Sequence, residues 1–226
     1  MEKIIIESPS KINLGLNVVK KRADGYHDLE TVFYPLLLSD RLTFQKSDRL
    51  ELHSNSEILN NLEDNLVVKA IRLIEKKSGI RIHVKVFIEK IIPIGGGLGG
   101  GSSNAAITLK AINKLFKLNF SNKHLAAMAL ELGSDVPFFL NHVPSYAEAR
   151  GEILSPIRLE IQYPILIISP GINISTRWAF ERIKPTKPEY SLRMLFEEKK
   201  IDFKKLNSYI KLCKLAERRE YVHLPS

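Results

Sequence analysis

The stretch Ile91-Ile92-Pro93-Ile94-Gly95-Gly96-Gly97-Leu98-Gly99-Gly100-Gly101-Ser102-Ser103-Asn104-Ala105-Ala106 holds six of the chain's twelve glycines within seven residues. Glycine at that density brings bare backbone close to a ligand, because no Cβ stands in the way and positive φ carries no penalty. Upstream, Ile80-Arg81-Ile82-His83-Val84-Lys85-Val86-Phe87-Ile88 alternates apolar and polar residues, the pattern of a half-buried strand. Downstream, Ala105, Ile107, Leu109, Ile112 and Leu115 follow a helical pattern, for which Ser102 or Ser103 is the expected N-cap. A strand, a glycine loop and a helix N-terminus in succession aim backbone N–H groups and the positive end of the helix dipole at one point. That point is expected to hold an anion.

Other readings of the loop can be weighed on the sequence itself. A Walker A loop places Lys before its Ser/Thr, but Gly101 precedes Ser102 and no lysine occurs between Lys90 and Lys110. Gly95, Gly97 and Gly100 match G-x-G-x-x-G, yet the helix is followed by Lys117-Leu118-Asn119-Phe120-Ser121 rather than by a second strand ending in an acid, which disfavours a dinucleotide fold. A flexible Gly/Ser linker would not sit between an alternating strand and an amphipathic helix.

Four separated stretches carry a family resemblance. Pro93 to Ala106 resembles the central phosphate-binding motif of the GHMP kinases, the relatives of galactokinase, homoserine kinase, mevalonate kinase and phosphomevalonate kinase. Pro9-Ser10-Lys11-Ile12-Asn13-Leu14, Asp24-Gly25-Tyr26-His27-Asp28-Leu29-Glu30-Thr31-Val32-Phe33 and Gly133-Ser134-Asp135-Val136-Pro137-Phe138-Phe139, taken with the loop, resemble the 4-diphosphocytidyl-2-C-methyl-D-erythritol kinase family. The resemblance runs from the N-terminus to about Tyr190. It implies an α+β, GHMP kinase-like two-lobe architecture. Residues 1–160 would form a ribosomal protein S5 domain 2-like, ATP-binding domain, and residues 161–226 an incomplete ferredoxin-like C-terminal lobe.

The same resemblance implies roles. Asp135 would be the general base and Lys11 its partner, offsetting charge on the transferred phosphoryl group. Pro93, Ile94, Gly95, Gly96, Gly97, Leu98, Gly99, Gly100, Gly101, Ser102 and Ser103 would cradle ATP, with Asn65 beside the adenine and Ser102 or Ser103 available to Mg²⁺. Asn13, Tyr26, His27, Phe33 and Phe180 would line the substrate site, Tyr26 and Phe180 stacking on opposite faces of a cytosine. The implied reaction is transfer of the ATP γ-phosphoryl group to the 2-hydroxyl of 4-diphosphocytidyl-2-C-methyl-D-erythritol, a cytidine diphosphate ester, in the non-mevalonate isoprenoid pathway. The alternatives are another GHMP small-molecule kinase, or a catalytically impaired nucleotide- or RNA-binding relative.

Without the family the residues read more plainly. A lone Lys on the strand Ser10 to Val19 is ordinarily solvated, Asp135 after Gly-Ser is a turn former, Asn65 caps a helix, and Phe180 packs a helix against a core. Asp24-Gly25 signals a tight turn before a strand from Leu29 to Tyr34.

Length and composition set bounds. With 226 residues, 44% hydrophobic and 26% charged, the chain can bury one large or two small cores. The net charge of +9 keeps a nucleic-acid partner in view, but the basic residues are scattered, no recognition signature is present, and polyanionic small molecules account for the field equally well; no nucleic acid is expected. The single Cys213 has no disulfide partner, and no uninterrupted apolar run reaches membrane-spanning length, so a cytoplasmic location and no membrane partner are expected.

Further strands are expected over Lys3–Glu7, Arg41–Phe44, Leu50–His53, Tyr146–Ala149, Gly151–Leu154 and Ile165–Ile168. Helices are expected from Asn65 to about Ser78 with Asp64 as cap and Gly79 as stop, after Ser121 with Gly133 as stop, and from Ser175. Pro137 is expected to leave Asp135 on a short rigid turn. Beyond Pro188 the pattern is helical and basic, and no glycine follows Gly171 to supply the family's third glycine-rich motif. Apolar surface left uncovered there would favour either a homodimer or lower stability.

Overall fold

The computed structural model describes residues 2–60, 64–169, 176–186, 188 and 191–197. Two long strands, β1 (Lys3–Lys21) and β2 (His27–Lys46), pair with one another and run through two compact units. The first unit comprises the chain up to Ile12, Pro35–Val143 and the segment beginning at Ile165. The second comprises Asn13–Tyr34, Pro144–Pro164 and the segment beginning at Thr176. The sequence reading split each long strand in two; the polar or proline residues that suggested breaks, Ser8-Pro9-Ser10 and Pro35, are absorbed within continuous strands.

In the first unit the later half of β2 pairs antiparallel with β4 (Val84–Glu89), Leu42 opposite Ile88 and Phe44 opposite Val86. Strand β3 (Glu51–Ser54) adds to β4 in parallel. The alternation expected upstream of the glycine loop is realised only from Val84: Val84, Val86 and Ile88 are buried, and residues 80–83 form no strand.

Helices α1 (Leu66–Ser78), α2 (Gly100–Leu115), α3 (Asn122–Leu132) and α4 (Val136–Phe139) complete this unit. Helix α2 is its centre. Ala105, Ala106, Ile107, Leu109, Ala111, Ile112 and Leu115 are all buried, so this is a core helix apolar on most sides rather than a surface one. Its N-cap is Gly99, not Ser102 or Ser103: left-handed geometry at Gly99 (φ 72°) lets the helix begin at Gly100, two residues before the first hydroxyl.

The other caps follow local chemistry. Asn65, not Asp64, caps α1, its Oδ1 accepting from Val67 N at 2.9 Å, and Gly79 ends that helix in the left-handed region (φ 70°). Ser121 caps α3, and Gly133 closes it in extended geometry. Pro137 starts a helix rather than preventing one: it sits in the first turn of α4, where its missing N–H is no loss, and Asp135 becomes the N-cap position.

In the second unit the first half of β2 pairs antiparallel with β5 (Ser145–Ala149), Thr31 opposite Ala147, and β5 with β6 (Ile153–Pro156). Helices α5 (Thr176–Arg182) and α6 (Leu192–Glu197) follow. Within β1, Gly15 (φ 78°) lies under the Leu192 side chain, which a Cβ would meet at 2.9 Å.

The run Ile165–Ile168 is not a strand. Among the described residues no strand supplies it with a ladder, and Leu166 and Ile168 are exposed. Cys213 and the basic segment after Glu197 lie outside the described residues.

Candidate active site

The glycine loop joins β4 to α2 within the first unit. Positive φ recurs at every second residue, Gly95 (75°), Gly97 (69°) and Gly99 (72°), the alternation that turns successive N–H groups toward one side. The first N–H groups of α2, at Gly100, Gly101 and Ser102, have no acceptor inside the helix. Loop amides and helix terminus together suit the oxygens of a phosphate chain.

Lys11 is held against this loop. Its backbone N donates to Leu98 O at 2.9 Å, and its side-chain stem passes beside Gly99, where a Cβ would lie 3.2 Å from Cγ. The Lys11 ammonium is 3.4 Å from Asp135 Oδ2; the lysine side chain is 6% exposed and the aspartate 36%. The structure thus brings together a buried cation and a carboxylate that solvent reaches, next to the glycine loop. Asp135 makes no side-chain capping bond to α4, so its oxygens are not consumed by the helix it precedes.

Around them Pro93, Ile94, Gly95, Gly96, Gly97, Leu98, Gly99, Gly100 and Gly101 trace the loop, and Gly101 packs beside Leu66 at the start of α1. Asn65 is engaged locally, capping α1 and donating from Nδ2 to Leu59 O at 3.0 Å. The two serines differ. Ser103 is buried, its hydroxyl 2.7 Å from Ser8 Oγ, whereas Ser102 is half-buried and its hydroxyl has no hydrogen-bond partner among the described residues.

The second unit holds the other candidates. Asn13 donates to Thr31 Oγ1 at 2.9 Å, and the Thr31 hydroxyl donates to Gly15 O at 2.6 Å. The turn Arg22–His27 is braced by Arg22, which meets Asp24 and Asp28 at 3.0 Å each, while Tyr26 N donates to Asp24 Oδ1 at 3.1 Å. The bond from Arg22 holds the Asp24 carboxyl below its ordinary value. His27 is buried and its ring stacks on Phe180, centroids 5.6 Å apart at 29°. The resemblance sets Phe180 and Tyr26 on opposite faces of a base; the ring that Phe180 meets within the protein is that of His27. Tyr26 itself is 52% exposed, with the Arg150 guanidinium 4.5 Å from the centre of its ring. Phe33 is buried in β2.

Sequence reasoning missed three groups. Arg150 over Tyr26 is one. A second is Glu30, which accepts from Tyr146 Oη (2.7 Å), Asn17 Nδ2 (3.1 Å), Ser191 Oγ and Arg193 N. Burial works to raise the Glu30 carboxyl, but the bonds from Ser191, Tyr146, Asn17 and Arg193 outweigh it and hold the group below its ordinary value. Burial, reinforced by the bond to Glu30, pushes the Tyr146 phenol well above its usual range. The third is a buried network beneath the loop, joining Ser8, Asp40, Lys90, Ser103 and Asn104. Ser103 is a candidate already, but no local pattern flags Asp40 or Lys90; an Asp after Leu38-Ser39 reads as the end of a strand.

The family model described as "GHMP kinases N terminal domain" matches residues 65–142, the span that holds the glycine loop and Asp135. The mevalonate kinase of Methanococcus jannaschii, 18% identical, shares the fold with a TM-score of 0.53 over 70% of this chain and 57% of its own. A crystal structure of 4-(cytidine 5'-diphospho)-2C-methyl-D-erythritol kinase superposes with a TM-score of 0.68 at 33% identity, over 86% of this chain and 70% of that one. The 4-diphosphocytidyl-2-C-methyl-D-erythritol kinase of Bacteroides thetaiotaomicron is 48% identical over 190 residues, 81% of this chain and 69% of the relative. That of Persephonella marina is 42% identical over 181 residues, 80% and 66%. The chain belongs to the 4-diphosphocytidyl-2-C-methyl-D-erythritol kinase family, and it spans about two thirds of the length of these relatives.

Proposed function

We propose that the protein transfers the γ-phosphoryl group of ATP to the 2-hydroxyl of 4-diphosphocytidyl-2-C-methyl-D-erythritol, in the non-mevalonate route to isoprenoid precursors. The observation that carries this reading is the 3.4 Å Lys11–Asp135 pair, tethered to the glycine loop through Lys11 N and Leu98 O. Asp135 takes the proton of the substrate hydroxyl as its oxygen attacks phosphorus; the bond from the γ-phosphorus to the bridging oxygen breaks and ADP leaves. Lys11 offsets charge on the transferring group, and the loop amides hold the phosphates in line, since positioning and charge stabilisation dominate phosphoryl transfer.

Magnesium keeps most of its ligands as water and phosphate oxygen. Ser102, with a hydroxyl free of partners among the described residues and in the first turn of α2, fits as the protein oxygen beside it; Ser103, bonded to Ser8, fits less well. The ion would neutralise charge on the phosphates. Asn65 borders the adenine, while Asn13, Tyr26, His27, Phe33 and Phe180 receive the cytidine end. In this reading residues 1–160 carry the ATP-binding functions and residues 161–226 part of a second lobe.

The protein is expected to act in the cytoplasm on a small molecule rather than on nucleic acid. Among the described residues no helix is long and apolar enough to cross a membrane. Exposed Leu166, Ile168 and Met194 favour pairing of two copies, and a monomer in sizing chromatography at assay concentration would refute that pairing.

The test of function is ADP release from the purified chain with ATP, Mg²⁺ and the cytidyl substrate, with ³¹P NMR locating the new phosphate ester. Release no faster than without the cytidyl substrate refutes the proposal. Comparable turnover of mevalonate or homoserine points to a GHMP kinase of different specificity.

A further inference from the structure

The loop that would hold ATP rests on an ion pair that the Lys11–Asp135 chemistry does not use. Asp40 is fully buried, and its carboxylate meets the Lys90 ammonium at 3.0 Å, with the lysine side chain 8% exposed. Asp40 Oδ1 accepts from both Ile91 N and Ile92 N at 2.8 Å, and Oδ2 accepts from Asn104 Nδ2 at 3.1 Å. Lys90 in turn donates to Ile92 O. One carboxylate therefore grips both amides immediately before Pro93, and Asn104 one turn inside α2. The two ends of the glycine loop are clamped to the same side chain.

The arrangement also answers an electrostatic problem. A Cβ on Gly100, the first residue of α2, would lie 3.3 Å from Lys90 Nζ. A bare ammonium there would oppose the positive end of the helix, which disfavours nearby cations. Asp40 neutralises it, leaving the N–H groups on the loop's open side to face an anion. Asn104 extends the link, its Oδ1 accepting from Ser8 Oγ at 2.7 Å. A buried charge pair costs desolvation, and hydrophobic side chains of similar volume often stabilise as well or better. Stability alone is thus a weak reason for this pair, and its hydrogen bonds all run to the phosphate loop's supports.

We infer that Asp40 is a positioning residue for the nucleotide: it sets the conformation of the glycine loop through the Ile91 and Ile92 amides and Asn104, and touches neither substrate. This rests on the ATP-dependent reading above. The consequence is selective. Loss of the clamp should weaken the use of ATP and leave the cytidyl substrate's KM unchanged.

Two double variants isolate the acceptor without leaving a buried unpaired cation. In Asp40→Ala with Lys90→Met the two amides lose their acceptor; in Asp40→Asn with Lys90→Met an amide oxygen remains for them. The first should raise KM for ATP about tenfold, the factor equivalent to roughly 1.4 kcal/mol, with KM for the cytidyl substrate within about twofold of wild type. The second should recover most of the loss. Where the alanine variant does not fold, Asp40→Glu keeps the charge but moves the oxygens by one methylene, and should show the same selective rise in KM for ATP. Equal KM for ATP in the two double variants, an equal rise for both substrates, or an unchanged KM for ATP in Asp40→Glu would overturn the inference. A wild-type chain that forms no ADP would instead refute the kinase reading itself.

Discussion

Replacing Gly99 by alanine tests how tightly the loop, the lysine strand and the core are fitted together. Gly99 has a φ of 72°, which an L-residue adopts at a cost of about 1–2 kcal/mol. The new methyl would also lie 2.7 Å from Phe139 Cζ, 3.0 Å from its Cε2 and 3.2 Å from Lys11 Cγ. Phe139 cannot swing away freely, being fully buried and packed edge-on against Phe138 with centroids 5.1 Å apart. Overpacking of that kind adds roughly 1–3 kcal/mol. The sum, about 2–5 kcal/mol, corresponds to a fall in melting temperature of roughly 5–15 °C for a chain of this size. Gly97 is the internal control: its φ is 69° but nothing lies within 4 Å of its Cβ position, so Gly97→Ala should show the backbone cost alone, about 1–2 kcal/mol. Thermal unfolding by circular dichroism, without nucleotide, compares the two. If both variants melt together, or Gly99→Ala melts within about two degrees of wild type, the close fit among Gly99, Phe139 and Lys11 is not what holds this region.

Three further outcomes are expected. Asp135→Asn should keep its fold and ATP binding and lose about 10²-fold or more in kcat, the usual contribution of a general base, with Lys11→Ala behaving similarly; near-normal turnover in rapid-quench measurements would remove Asp135 from that role. Tyr26→Ala and His27→Ala should each weaken binding of the cytidyl substrate, by roughly 1–3 kcal/mol where a base stacks, with little change for ATP, and calorimetry showing equal losses for both ligands would contradict the assignment. Glu30 titrates below its ordinary value of 4.5 in the folded protein, so its contribution is present above about that pH and is lost as pH falls through the lower, folded value. Unfolding midpoints of wild type and Glu30→Gln should therefore differ most at neutral pH and converge in acid below pH 4.5, and a gap that does not narrow there would contradict the linkage.

The phosphate loop was legible in the chain because its determinants are local. Six glycines in seven residues, an apolar alternation before them and a helical pattern after them encode strand, loop and helix within about thirty consecutive residues. The motifs around Lys11, Tyr26 and Asp135 are likewise contiguous strings, so their family could be read from the sequence alone. Errors of detail arose where a neighbour decides. Ser102 and Ser103 carry the chemistry of an N-cap, but Gly99 reaches left-handed geometry and starts α2 earlier; Ile165–Ile168 has a strand's composition and, among the described residues, no strand to pair with.

What only the tertiary structure decided is the fate of the charges. Asp40 finds Lys90 and Asn104 fifty and sixty-four residues away, and Glu30 finds Tyr146 and Ser191 at separations of 116 and 161. A lone carboxylate on a strand carries no periodic signal, and elementary solvation would leave it in water. It enters the interior only because distant elements deliver donors to it in numbers sufficient to replace that water, and that delivery is a property of the folded chain, not of any window of its sequence.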